Sequence, residues 1–160
     1  MTSRVQLALN VTDLEAATRR YSDLFGVEPA KTRSGYVNFA LEDPPLKLVL
    51  FENPGAGTPL NHVGVELAST DDVLAARDRF TASGLPHTVA RDDRCCHAVQ
   101  DKVWVDVPDV PLGAWEFYTV LADDDPAAGV VDDGTDSACC AGDSVAAVPC
   151  CGAPSAGGDA

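Results

Sequence analysis

Basic residues run out early in this chain. All 11 Lys and Arg lie at or before Lys102, against 25 Asp and Glu, and the net charge is −14 over 160 residues. A nucleic-acid or anionic-membrane binder needs a cationic patch, and the sequence has none. From Leu121 onward there are 8 Asp and no cation, a distribution that favours solubility and keeps that segment extended. Long hydrophobic runs are also missing: nothing approaches the ~20 apolar residues of a membrane span. The first residues alternate from Arg4 to Val11 and resemble neither a signal nor a transit peptide, so the expected location is the cytoplasm. Residues 122–160 lack any aromatic side chain and any sustained periodicity. Such a tail cannot offset its ordering entropy by apolar burial and is expected to be disordered.

What the chain does have is cysteine in an unusual arrangement. Its six cysteines form three adjacent pairs, Cys95-Cys96, Cys139-Cys140 and Cys150-Cys151, where random placement would give about 0.19 such pairs. A secreted disulfide framework spaces its cysteines to staple distant segments. A zinc ribbon inserts two to four residues within each pair. Neighbouring thiols suit instead a soft, thiophilic ligand that takes two sulfurs at once.

The body, residues 1–121, repeats one order of elements. Residues 4–11 alternate as a strand, Asp13 caps a helix over 14–25, and Gly26 ends it. Strand-like runs follow at about 27–32, 35–41 and 46–52, the last two separated by Pro44-Pro45. The order restarts with a strand at 61–67, a helix capped by Ser69 or Thr70 and closed by Gly84, and strands at 86–91, 97–105 and 114–121. Gln6 to Gly26 spans 20 residues and His62 to Gly84 spans 22. The expected fold is therefore α+β: two tandem βαβββ modules, about 1–53 and 59–121, sharing a barrel-like cavity.

Gln6 and His62, 56 residues apart, are the polar positions in the first strand of each module, and pseudo-twofold stacking would make them face one another. Glu116 sits among aromatics in the last strand, and its first-module counterpart is expected near Leu48 or Leu50, neither of which can ligate a metal. An amide, an imidazole and a carboxylate with no fourth donor form a modified facial triad that suits Fe(II) and leaves positions open. Gln6 and Glu116 can equally be outward-facing strand residues.

The βαβββ repeat resembles the vicinal oxygen chelate superfamily of glyoxalases, extradiol dioxygenases and bleomycin-resistance binders. The segments 5–11, 60–66, Cys95-Cys96, 99–105 and 115–120 together resemble the ArsI-type carbon–arsenic lyases, whose relatives are often labelled cadmium-induced proteins. The resemblance implies Gln6, His62 and Glu116 as Fe(II) ligands and Cys95 and Cys96 as the arsenic-binding thiols. It further implies O2-dependent cleavage of methylarsenite and trivalent aromatic arsenicals to arsenite. Because affinity order favours the later metals, Ni, Co or Zn can displace iron in purified protein. His97 departs from the aromatic residue expected there in many relatives.

Cys95-Cys96 reads as part of a polar loop, 90–96, with an exposed flank; the alternatives are a pair of inert, partly buried cysteines or, under oxidising conditions, a vicinal disulfide that would block binding. Arg91 and Arg94 would favour thiolate, and Asp92 and Asp93 oppose them. His97, Gln100 and Lys102 are candidates for the surroundings of the site, with a solvated face as the alternative for Gln100 and Lys102. Trp104, Phe39 and Tyr118 are expected to fill the core or line the cavity, and His87 to lie at the surface. Cys139, Cys140, Cys150 and Cys151 are candidates to hold product arsenite or pass it to an efflux or chaperone partner, or else are passengers. Beside the lyase stand two other readings: a thiol sequestrant of cadmium or arsenite, and a glyoxalase-like small-molecule binder.

Overall fold

In the computed structural model, residues 3–95, 97–109, 112 and 114–124 are described. The first module contains β1 (Arg4–Val11), α1 (Leu14–Phe25), β2 (Lys31–Arg33), β3 (Tyr36–Glu42) and β4 (Pro45–Glu52). The second contains β5 (Leu60–Glu66), α2 (Thr70–Ala82), β6 (His87–Cys95), β7 (Ala98–Asp106) and β8 (Ala114–Asp123). The caps fall where side-chain chemistry puts them. The Asp13 carboxylate accepts from the Ala16 amide, Gly26 turns α1 off at φ 67°, and Ser69 caps α2 through the Asp72 amide.

All eight strands form one mixed sheet in the order β2-β3-β4-β1-β5-β8-β7-β6, curled into a half-barrel. The modules join where β1 and β5 run antiparallel, with Gln6 opposite Gly64, Leu7 opposite Val63 and Ala8 opposite His62. A local twofold through the Leu7–Val63 pair therefore exchanges Gln6 with His62 and Ala8 with Gly64. Each helix covers the outer face of its own module. Tyr21 and Phe25 of α1 pack on Val37, Phe39, Leu48 and Leu50, and Val73, Ala76 and Phe80 of α2 pack on Val103 and Val105. With the apolar side chains of alternate positions committed outward, the remaining positions of β1, β4, β5 and β8 face the concave side.

Three expectations need correction. The strand expected over 27–32 shrinks to Lys31–Arg33, because Pro29 has no amide to give to a ladder. The polar stretch 90–95 is strand, not loop: β6 runs to Cys95 as an edge strand whose backbone pairs with β7, while Asp92 and Arg94 are exposed and Asp93 turns inward to Lys102. A register shift between Ala90 and Asp93 accommodates Asp92 at φ 51°, whose amide donates to the buried Asp101 carboxylate. The third concerns parity. Glu116 lies beside Gly64 and Val49 lies beside Ala8, so Val49 is the counterpart of Glu116. Leu48 and Leu50 point into the helix-covered core, one residue out of phase. Strand β8 continues to Asp123, past the expected body boundary at 121. Cys96, Cys139, Cys140, Cys150 and Cys151, with the tail beyond Asp124, lie outside the described residues.

Candidate metal centre

Adjacent strands β1, β5 and β8 bring Gln6, His62 and Glu116 together, each about 5% exposed or less. Gln6 Nε2 lies 2.8 Å from His62 Nε2 and 3.2 Å from Glu116 Oε2, and those last two atoms are 3.4 Å apart. With Tyr36, Lys47, Val49, Phe51 and Gln100 they line a cavity of about 20 Å³, room for one water or ion. The close approach depends on Gly64: a Cβ there would sit 2.8 Å from the Glu116 carbonyl oxygen.

Each member of the trio is held by further side chains. The Tyr118 hydroxyl donates to Gln6 Oε1. Burial, and then the nearby Glu66 and Glu116 charges, push the Tyr118 phenol well above its ordinary pKa, so it remains a donor. His62 Nδ1 lies 2.7 Å from Asn61 Oδ1, and the ring meets Trp104 edge-on with centroids 5.4 Å apart. Oε1 of Glu116 pairs with Lys102 Nζ, which also pairs with Asp93 of β6. Burial raises the Glu116 pKa, but its polar contacts, the Lys102 ammonium among them, outweigh it, leaving the carboxyl below its usual range. Burial opposes the Lys102 charge, yet Glu116, Cys95 and Asp93 more than compensate, holding the Lys102 pKa above its ordinary value. A second buried group lies alongside: Glu66 accepts from Lys47 at 3.2 Å and from Arg4, and Lys47 Nζ stands 5.1 Å from the Tyr118 ring centroid.

The strand that carries Cys95 is linked to the donor face through Lys102, which pairs with both Asp93 and Glu116. Cys95 is 2% exposed, not on an exposed flank, and is an electrostatic neighbour of Lys102. His97, at φ 65°, follows the end of β6 and turns its ring onto Tyr36, with centroids 5.3 Å apart. Lys31 of β2 donates to the His97 carbonyl and pairs with Asp123, tying the first module to this turn. Gln100 lines the cavity and Lys102 reaches Glu116, two residues apart on β7 as their parity requires. His87 is half-buried at the start of β6, bonded to the Leu85 carbonyl at 2.8 Å.

The donor set fits a divalent ion. Three donors at cis positions around an ion with bonds of ~2.1 Å would stand ~3.0 Å apart, an edge length taken from ordinary bond distances, and the observed separations bracket it. Imidazole Nε2, carboxylate Oε2 and the Gln6 amide, presenting its oxygen after a half-turn, would be the ligands. Tyr118 can partner either end of that amide, since its hydroxyl both donates and accepts.

The sequence pattern of the Glyoxalase/Bleomycin resistance protein/Dioxygenase superfamily matches residues 4–110. The chain belongs to this superfamily. Within it, the chain is 54% identical over 145 residues to the cadmium-induced protein CadI of Mycobacterium bovis, covering 88% of this chain and 94% of that one. It is 51% identical over 139 residues to the trivalent organoarsenical cleaving enzyme of Thermomonospora curvata, covering 86% and 88%. Among solved structures, the Mn(II)-bound glyoxalase of Novosphingobium aromaticivorans shares the superfamily fold at a TM-score of 0.54 and 19% identity, over 76% of this chain and 41% of that one. Homoprotocatechuate 2,3-dioxygenase of Arthrobacter globiformis does so at 0.52 and 20%, over 74% and 36%.

Sequence reasoning missed Asn61, Tyr36 and Lys47, weighed Asp93 only for its effect on the thiols, and took Tyr118 as core filling or cavity lining. The signal for Tyr118 was its parity with Glu116, two residues earlier on the same strand. Lys47 carried a signal too, as a charge inside the apolar run of β4. Among the described residues no helix is long and apolar enough to cross a membrane.

Proposed function

We propose that the protein is a cytoplasmic, Fe(II)- and O2-dependent enzyme that cleaves the carbon–arsenic bond of trivalent organoarsenicals and releases arsenite, thereby detoxifying them. The observation that carries this reading is the position of Lys102, whose ammonium links Glu116 of the three-donor face to Asp93 on the strand of Cys95. The 51% identical relative named as a trivalent organoarsenical cleaving enzyme supports the same chemistry.

Gln6, His62 and Glu116 would hold the iron, and Cys95 with Cys96 would hold the arsenic. An arsenical R–As(OH)2 exchanges both hydroxyls for the two sulfurs, losing two waters. The second exchange is intramolecular and gains from effective concentration. Bound iron would supply a common centre for dioxygen and the As–C bond. Lys102 keeps Glu116 ionised and oriented, and Tyr118 orients Gln6. The cavity holds little more than one ion, so arsenic approaches from the rim, where Tyr36 and His97 meet. The tail cysteines would receive arsenite for an efflux or chaperone partner.

A thiol sequestrant is the second reading, favoured by the relatives named as cadmium-induced. Oxygen uptake on adding methylarsenite to anaerobically iron-loaded protein separates the two. The lyase consumes O2 in proportion to arsenite released, and a sequestrant consumes none. A glyoxalase-like binder is disfavoured because Val49 stands where a fourth donor would be needed.

A further inference from the structure

A chain of side-chain amides leads to His62 from the edge of the barrel, and its polarity is set by a group that cannot be reversed. The Thr58 main-chain carbonyl only accepts, and Asn10 Nδ2 donates to it at 3.0 Å. Asn10 Oδ1 therefore faces the other way, where it accepts from Asn61 Nδ2 at 2.9 Å and from Asn53 Nδ2 at 3.3 Å. Asn61 then has only Oδ1 to offer His62 Nδ1, 2.7 Å away. An amide oxygen cannot donate, so Nδ1 carries the ring proton and Nε2 of the neutral imidazole is a bare lone pair.

Backbone geometry explains how Asn61 reaches its own neighbour. The β1–β5 register passes from Ala8 opposite His62 directly to Leu9 opposite Leu60. Asn61 is thus the extra residue of a β-bulge, which re-aims its side chain out of strict alternation. The result is a lone pair directed at the Glu116 carboxylate across 3.4 Å. The Gln6 Nε2 amide, 2.8 Å from that lone pair and 3.2 Å from Glu116 Oε2, is the donor between the two acceptors here, in the place a cation would take.

We propose that Asn61, oriented by Asn10, is a positioning residue that fixes the Nδ1–H tautomer of His62 and so presents Nε2 to a divalent ion. The assignment deepens the metal reading given under Proposed function and rests on it for its purpose, though not for its geometry. Neither amide touches the donor face, so the device acts only through the ring.

The test uses the full chain labelled with 15N-histidine, free of metal and at mildly alkaline pH, with long-range proton–nitrogen correlations reporting which ring nitrogen is protonated. His87→Gln and His97→Gln variants assign the His62 signals. Wild type is expected to show a single tautomer protonated at Nδ1. Asn61→Leu is expected to show a mixture and to bind Co(II) about 10–100-fold more weakly, the usual cost of losing an outer partner of a metal-bound histidine. Asn61→Asp retains the acceptor and is expected to retain both the tautomer and most of the affinity. An Nε2-protonated His62 in wild type overturns the proposal even if no variant folds, as does an Asn61→Leu variant that keeps both tautomer and affinity. If wild type shows the Nδ1–H tautomer, and Asn61→Leu loses it, while neither binds Co(II), the positioning role stands and the metal reading fails.

Discussion

The ammonium of Lys102 lies 3.1 Å from Oε1 of Glu116 and 2.9 Å from Oδ2 of Asp93, and its side chain is 1% exposed. Removing one partner of a buried pair leaves the other uncompensated. Lys102→Met is expected to destabilise the fold by about 3–5 kcal/mol, measured by urea denaturation of the metal-free protein. A divalent ion would partly replace the lost positive charge, so the deficit should shrink in excess Co(II). A deficit that Co(II) leaves unchanged would argue against an ion beside Glu116.

Gly64 permits the contact between β5 and β8 at the donor face. A methyl group there would meet the Glu116 carbonyl oxygen at 2.8 Å, while one on Gly57 would meet nothing within 4 Å. Gly64→Ala is expected to cost about 1–3 kcal/mol and to weaken Co(II) uptake, with Gly57→Ala close to wild type in both. Equal behaviour of the two variants in thermal melts and metal titrations would contradict this packing.

Asp101 gives the pH dependence a sign. Burial raises its pKa, but the Thr70 hydroxyl, the Asp92 amide and Arg91 together pull it below the usual value. A depressed folded pKa contributes stability above the unfolded value of about 4, and that stability is lost as pH falls through the folded value. Asp101→Asn should therefore narrow its stability gap to wild type as pH drops from about 6 to 3. Melting temperatures across that range check it; a widening gap would contradict the sign.

Thiol chemistry and metal chemistry should separate by mutation. Cys95→Ser and Cys96→Ser are each expected to abolish methylarsenite binding while Co(II) titrations stay within about threefold of wild type, since neither thiol belongs to the donor set. Turnover at the wild-type rate in either variant would sink the two-thiol reading.

The tandem order, both helices and the convergence of Gln6 with His62 were legible because period and pitch are local signals. Glu116 was found as a charge in an apolar strand, but its counterpart was misplaced by one residue, since strand parity is fixed only by pairing. Cys95 was misread for a related reason: charge density marks a solvated side-chain face, and an edge strand can carry one while its backbone pairs with a single neighbour. Asn61 had no sequence signal, because a bulge that turns a side chain toward its neighbour exists only in the register between two distant strands.

The Val49 wall has a consequence for selectivity. Protein donors would occupy one hemisphere around an ion at this site, and in its own sector of the other Val49 presents only hydrocarbon, which cannot bond to it. Whatever molecules complete that sector must arrive from outside, so affinity for the ion alone should be modest and should rise when the correct visitor is present. Discrimination among metals would then follow from which of them accepts that visitor best, and only secondarily from the fixed ligands.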